Sequence, residues 1–225
     1  MKKRGIKTPL YSAVLLVLLA GLVLSVLASI TFGNADISVQ DVYKVIFYEI
    51  FHIDSFSAYQ EGAIHDVVWL IRFPRVLLAA GIGMGLSVCG VVMQAVVKNP
   101  LADPYVLGVS SGAYLGAAAA IILGIGSVFG DNSMGIMAFI GAVGASFGVL
   151  FISGIGGSSS AGKLILAGMA ISSVCSAFAN FLIYISQNRD ATTQISYWSM
   201  GSLATADWDN VPVILPLMIL ASLIF

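Results

Sequence analysis

Five groups of residues have types and spacings that could do chemistry. Gly157-Ser158-Ser159-Ser160-Ala161-Gly162-Lys163 fits the G-x-x-x-x-G-K pattern of a phosphate-cradling loop. The next residue is Leu164, so the hydroxyl that would hold magnesium is missing, and an apolar helical run precedes the loop instead of a strand. A turn between two helices explains the glycines and serines without a nucleotide. Gly108-Val109-Ser110-Ser111-Gly112 fits G-x-S-x-G, the pattern of an exposed nucleophile, here of an intramembrane serine protease using Ser110. A serine nucleophile needs a neighbouring base. The only histidines, His52 and His65, belong to a separate polar segment, and capping of a helix start by Ser110 and Ser111 is the plainer reading. His52 and His65 with Asp54, Glu61 and Asp66 could ligate a metal, but the spacing matches no strong ligand pattern, and solvated loop residues are the better reading. Cys89 and Cys175 sit in apolar runs without a Cys or His at ligand spacing, and read as small packing residues. Last, Arg72-Phe73-Pro74-Arg75 places two arginines around a proline. Headgroup snorkelling is one account of them. Docking of an external partner's carboxylates through bidentate guanidinium forks is the other.

The elements that must position these residues are membrane helices. Of 225 residues 59% are hydrophobic and 9% charged, with mean hydropathy +0.99 and formal net charge −1. Soluble domains carry about 25% charge. The balance excludes a basic nucleic-acid binder, a disordered acidic chain and an ordinary soluble enzyme. Six runs read as spans: Leu10–Phe32, Val76–Val97, Val106–Ile125, Met134–Ile155, Leu164–Ser186 and Val211–Phe225. The fold class is all-α, a polytopic membrane bundle, read as one domain over 1–225. Lys2, Lys3, Arg4 and Lys7 before the first span place the N-terminus in the cytoplasm, the orientation of an inner-membrane protein. Lys98 and Lys163 then fall inside as well, whereas Asp103 is the one acidic residue there. The segments 33–75, 126–133 and 187–210 lie outside, and Trp69, Tyr184, Tyr197, Trp198 and Trp208 gather at the outer interface.

Within the outer segment, apolar spacing over Ile37–Phe47 predicts a short surface helix capped by Ser38 or Asp41. Glycines at 81, 83 and 85, at 112 and 116, and at 141, 144 and 148 predict close helix packing. Ser172, Ser176 and Asn180 form one polar stripe on the fifth span. No charged residue falls in a span core, which argues against an ion-coupled carrier. The last run is still apolar at Phe225, so the chain reads as the N-terminal portion of a longer one.

Several motifs carry a resemblance. Arg72-x-Pro74-Arg75, Gly90-x-x-Met93-Gln94, Asn99-Pro100-Leu101-Ala102-Asp103-Pro104 and Leu107-Gly108-Val109-Ser110-Ser111-Gly112-Ala113 together resemble the FecCD family of ABC-transporter permeases. Leu166–Ser173 and Tyr197–Leu203 extend the match. The resemblance implies a ten-helix permease that pairs with a second, identical or paralogous, permease subunit. It implies two cytoplasmic ATPase subunits that hold ATP and magnesium, and an extracytoplasmic substrate-binding protein. This chain itself would bind no cofactor or metal, perform no catalysis and contact no nucleic acid. The implied cargo is an iron(III)–siderophore or similar chelate, with cobalamin or haem as alternatives. Arg72 and Arg75 would dock the binding protein, and the fifth span, Leu164–Ser186, with the short helix after it, about Asp190–Ser202, would line the translocation pathway, faced by Ser172, Ser176 and Asn180. The turns at Asn99–Leu101 and at Ser159, Ser160 and Gly162 would form cytoplasmic gates. The family's ATPase-coupling segment and later spans have no counterpart in these residues.

Overall fold

The computed structural model describes residues 8–155, 157 and 160–225. Lys2, Lys3, Arg4, Lys7 and Ser159 lie outside the described residues. Helix α1 (Thr8–Thr31) is followed by α2 (Val39–Phe51) and by α3 (Ala63–His65). A π-helical stretch, Asp66–Arg72, leads from α3 into α4 (Phe73–Val97). Then come α5 (Val109–Leu123), α6 (Ser133–Gly154), α7 (Ala161–Ser186), α8 (Arg189–Met200) and α9 (Val211–Ile224). Among the described residues, four helical rods are long and apolar enough to cross a membrane: α1, the continuous Ala63–Val97 rod, α6 and α7. Helices α5 and α9 are apolar but shorter. The chain is an all-α membrane bundle, as its hydropathy requires.

The second and third spans differ most from the sequence reading. The second span begins well before Val76, because Pro74 does not stop the helix. The chain winds wide ahead of it, and the Phe73 N–H donates to Val68 O, five residues back. The wide turn removes the crowding that a proline imposes on an α-turn. The third helix opens at Val109 rather than Val106, because Gly108 takes φ 72 and separates a 3-10 turn over Pro104–Leu107 from α5. It ends before Gly124, at φ 65. These left-handed conformations suit glycine.

The chain divides into two compact units, with the boundary inside α4. The first comprises the chain up to Gly85 with Leu203–Ile224. Its core is Ile30 of α1, Val42 and Val45 of α2, and Val68 of the π stretch. Ser38 caps α2, its side chain accepting from Asp41 N. Helix α9 packs on α4 where glycines leave room: a Cβ on Gly81 would meet Leu215, and one on Gly85 would overlap the sulfur of Met218. Trp69, Phe73 and Trp208 stack with centroids 4.7–5.7 Å apart. The Trp208 Nε1–H donates to Trp69 O at 2.8 Å. In π register that carbonyl would receive the N–H of residue 74, and proline has none. The indole supplies the missing donor.

The second unit spans Leu86–Ser202. Helices α5 and α6 touch backbone to backbone. A Cβ on Gly112 or Gly116 would overlap the carbonyl oxygens of Gly141 or Met137, and one on Gly141 would overlap that of Gly112. Gly83 and Gly144 face open space and make no such contact. Lipid is as apolar as leucine, so close packing of this kind holds the helices together where hydrophobic burial cannot. A second core joins Met93, Val97, Val149, Leu164 and Ala167.

Candidate functional site

The second unit contains a cavity of about 480 Å³ lined by Ser110, Ser111, Ala113 and Tyr114 of α5, Ser176 of α7, and Trp198 and Ser199 of α8. Three local features place these side chains. Gly108 opens α5 in a position where a Cβ would press on Ile171 and on Ser172 Oγ. Gln187 adopts φ 48 at the end of α7 and turns the chain. Asn188 then caps α8, its Oδ1 accepting from Asp190 N at 3.0 Å and Ala191 N at 3.2 Å. Ile195 is buried with Ala118 and Ala179, which fixes α8 so that Trp198 and Ser199 reach the cavity.

The lining is neutral and hydroxyl-rich. Ser111 donates to Gly108 O and Ser199 to Ser196 O, so both are partly satisfied by their own helix. The hydroxyls of Ser110 and Ser176 make no hydrogen bond to another described residue. A membrane cavity with such hydroxyls and no ionised group can hold water or a polar solute without binding it tightly. No histidine or carboxylate lines it, so Ser110 has no base within the lining.

Of the expected pathway stripe, Ser176 lines the cavity, Ser172 lies beside Gly108, and Asn180 is exposed and is not part of the lining. Positions four apart drift by about 40° around an α-helix, so a stripe over two such steps turns off one face. Trp198 and Ser199 fall in the Asp190–Ser202 segment that the resemblance implies as pathway lining, whereas Ser111 and Tyr114 have no pathway role in the sequence reading, where Ser110 is a cap or a nucleophile. The signal available was the G-x-S-x-G pattern, read as chemistry and not as a hydroxyl surface.

The two arginines take different positions. Arg72 is only 9% exposed. Its Nη1 donates to Ile30 O at 3.0 Å and Thr31 O at 2.9 Å, and its Nη2 to Ala35 O at 2.8 Å. Ile30 and Thr31 form the last turn of α1, where carbonyls lack helical partners and the helix dipole is negative. Gly33 leaves the slot for this guanidinium, since a Cβ there would stand 2.6 Å from Nη2. Arg75 is half-buried, and its Nη2 donates to Ala204 O at 2.7 Å.

At the expected gates, Asn99 Oδ1 accepts from Leu101 N at 2.9 Å, and Leu101 is exposed. Ser160 caps α7 by accepting from Lys163 N at 3.3 Å, beside Gly162. The phosphate-loop pattern thus begins a helix, and no strand precedes it among the described residues. No group of three metal-ligating residues occurs among the described residues. His65 contacts Glu49 at 3.1 Å and Asp66 at 3.2 Å. At the start of α2, the Ser38 hydroxyl, then Tyr59 and Lys44, hold the Asp41 carboxyl below its ordinary range. Tyr59 foremost, then Asp41, raises Lys44.

The sequence pattern of the FecCD transport family matches residues 21–225. The chain belongs to that family. It is 33% identical over 205 residues to the Bacillus subtilis uncharacterized ABC transporter permease protein YvrB, covering 90% of this chain and 57% of the relative. It is 41% identical to the Yersinia pestis hemin transport system permease protein HmuU, covering 69% of this chain and 48% of that one. It is 40% identical to the vitamin B12 import system permease protein BtuC of Salmonella arizonae, covering 64% and 42%. A solved structure described as an inward-facing conformation of a metal-chelate type ABC transporter superposes with a TM-score of 0.69 at 29% identity, over 93% of this chain and 58% of that chain. The chain thus spans about half the length of the curated relatives it matches.

Proposed function

We propose that the chain contributes to the permease subunit of an ATP-driven ABC importer. The hydroxyl-lined cavity on α5, α7 and α8 carries this reading, since it offers a polar surface within apolar helices and no group that would hold a proton or ion. Cargo would arrive from an extracytoplasmic binding protein and pass by alternating access. Partner ATPase subunits with ATP and magnesium would shift the balance between outward- and inward-open states. A second permease subunit, the same chain or a paralogue, would complete the pathway. The N-terminus would lie in the cytoplasm of the bacterial inner membrane. The turns holding Asn99, Leu101, Ser159, Ser160 and Gly162 would gate the cytoplasmic side, with Ser176 and the neighbouring Ser172 along the pathway and Asn180 turned off that face. Arg75 would meet carboxylates of the binding protein, while Arg72 steadies the end of α1 beneath that surface.

The cargo we favour is an iron(III)–siderophore or similar chelate. A chelate brings its own metal ligands, so a lining of hydroxyls and aromatic rings suits it. Haem and cobalamin have the same property, and two of the relatives are named for hemin and vitamin B12. Uptake into vesicles of the host membrane, energised with ATP and loaded with the cognate binding protein, separates the three. Ser176→Phe fills the cavity, and is expected to reduce uptake at least tenfold while the protein still assembles. Uptake that ignores ATP and collapses with a protonophore would overturn the importer reading. ATP-driven uptake of cobalamin or haem alone would overturn only the cargo.

A further inference from the structure

The rod Ala63–Val97 is 35 residues long, about 52 Å, against about 30 Å for the hydrocarbon core of a bilayer. His65, Asp66, Arg72 and Arg75 all lie near its start, so that end projects beyond the hydrocarbon. Its first turn has no capping side chain: Gly62 precedes it at φ 118 and offers nothing to the free N–H groups. His65 ties this turn to α2. Its side chain is 12% exposed and stands between two carboxylates on different elements. Nε2 lies 3.1 Å from Glu49 Oε1 on α2, and Nδ1 lies 3.2 Å from Asp66 Oδ1 at the head of the π stretch. All three residues fall within 49–66, so segments that pack elsewhere can cover the cluster but do not make it.

We propose that His65 is a pH-sensitive latch between α2 and the start of the rod, closed when its imidazole is protonated. The argument is a count of protons. A neutral imidazole has one N–H and one lone pair, so one of the two carboxylates must face the lone pair. The imidazolium donates at both nitrogens. Both bonds are then charge-assisted, about twice as strong as neutral ones. Imidazole is the side chain that exchanges this proton between about pH 5 and 8. The latch is closed at the acid end of that range. At the alkaline end it is half undone, and the exposed Asp66 carboxylate is free to turn to water. Neighbouring charges are engaged elsewhere. On α2, Asp41 and Lys44 bond each other and Tyr59, Tyr43 meets Thr31, and the Tyr48 ring lies beside His52. On the π stretch, Arg72 is spent on three carbonyls. Among the described residues only Glu49 and Asp66 bond His65, and it is the one partner of each carboxylate. Because α2 packs on Ile30 of α1 through Val42 and Val45, the latch sets where the rod begins relative to the first helix.

The test uses the full chain, purified with whatever subunits accompany it and held in lipid nanodiscs. Hydrogen exchange is followed by mass spectrometry from pH 5.5 to 8 and corrected for the intrinsic dependence of exchange on pH. The reporters are peptides over residues 62–66, where the Asp66 N–H donates to Gly62 O at 3.0 Å. They are expected to be about fivefold better protected at pH 5.5 than at pH 8. The first turn of α2, held by Ser38 and Asp41, should not respond over this window. Glu49→Gln and His65→Gln should each flatten the response, and His52→Gln should leave it as it is. A flat profile in the unaltered protein, or better protection at pH 8, would overturn the proposal. So would a response that survives both Glu49→Gln and His65→Gln, since another group then carries the proton, or one that is lost with His52→Gln. Should a variant fail to assemble, the profile of the unaltered protein still decides.

Discussion

The Arg72-Phe73-Pro74-Arg75 motif contains two arginines with separate duties. Arg72 gives its guanidinium to three backbone carbonyls, two of them at the end of α1. Arg72→Ala strands those acceptors and is expected to cost about 2–4 kcal/mol, read as a lower melting temperature in detergent. Arg72→Lys should recover little, because a point-like ammonium cannot fork to three oxygens. Arg75→Ala should cost about 1 kcal/mol or less. Equal losses for the two would overturn this division of labour. The glycines sort in the same way. Gly116→Ala and Gly168→Ala would drive a methyl into the carbonyls of Met137 and Val106, and about 2 kcal/mol or more is expected, whereas Gly144→Ala meets open space and should be near neutral. Spacing in the sequence announced close packing without saying which glycines make it. That depends on helix rotation, which a run of apolar residues on every side leaves undetermined. The same blindness hid Arg72. Charge placement marked both arginines as unusual, but only the path of the chain back to α1 shows that one of them is enclosed.

Helices α2 and α9 are held by contacts of different kinds. At α2 the cap is electrostatic. Asp41 is lowered below its ordinary 3.8 by Ser38, Tyr59 and Lys44, so its contribution is present above the unfolded value and fades as pH falls through the lower folded one. Loosening of α2 should therefore appear only below about pH 4, by hydrogen exchange at its first turn, and Asp41→Asn should abolish that dependence. Lys44 is raised above 10.5, so its part survives at neutral pH and disappears only in strong alkali. At the approach to α9, Trp208→Phe keeps the aromatic stack but removes the donor to Trp69 O, and about 1 kcal/mol should be lost. Trp208→Ala loses the stack too, and about 3 kcal/mol or more is expected. The order of the six apolar helices was legible in the hydropathy and a capped α2 in its residue types, whereas the short α3 and the polar α8 leave no hydropathy signal. The helix ends were less legible, since Pro74 would ordinarily stop a helix and a left-handed turn at Gly108 can hide inside an apolar run.

For the whole molecule, the site is a small hydroxyl surface assembled from three helices; Ser176 is legible as pathway by its residue type and spacing, Trp198 and Ser199 only through the segment that the resemblance implies, and the residues of α5 not at all. Serines that line a cavity and serines that bond their own helix look alike in a sequence. The difference is made by Asn188 and Ile195, which hold α8 against α5 and α7. Asn188→Ala should therefore lower stability by about 1 kcal/mol and reduce uptake with it, without touching the cargo. The π stretch ahead of Pro74 has a consequence for how the gene can change. A π turn is an α-helix with one residue too many. Deleting a single residue from Val67–Ile71 gives the rod a way to rewind as ordinary α-helix, with both halves near their original facing. The same deletion within Leu86–Val92 would swing one half by about 100° relative to the other. Length variation should thus be survivable in one short window of this long rod and ruinous elsewhere along it.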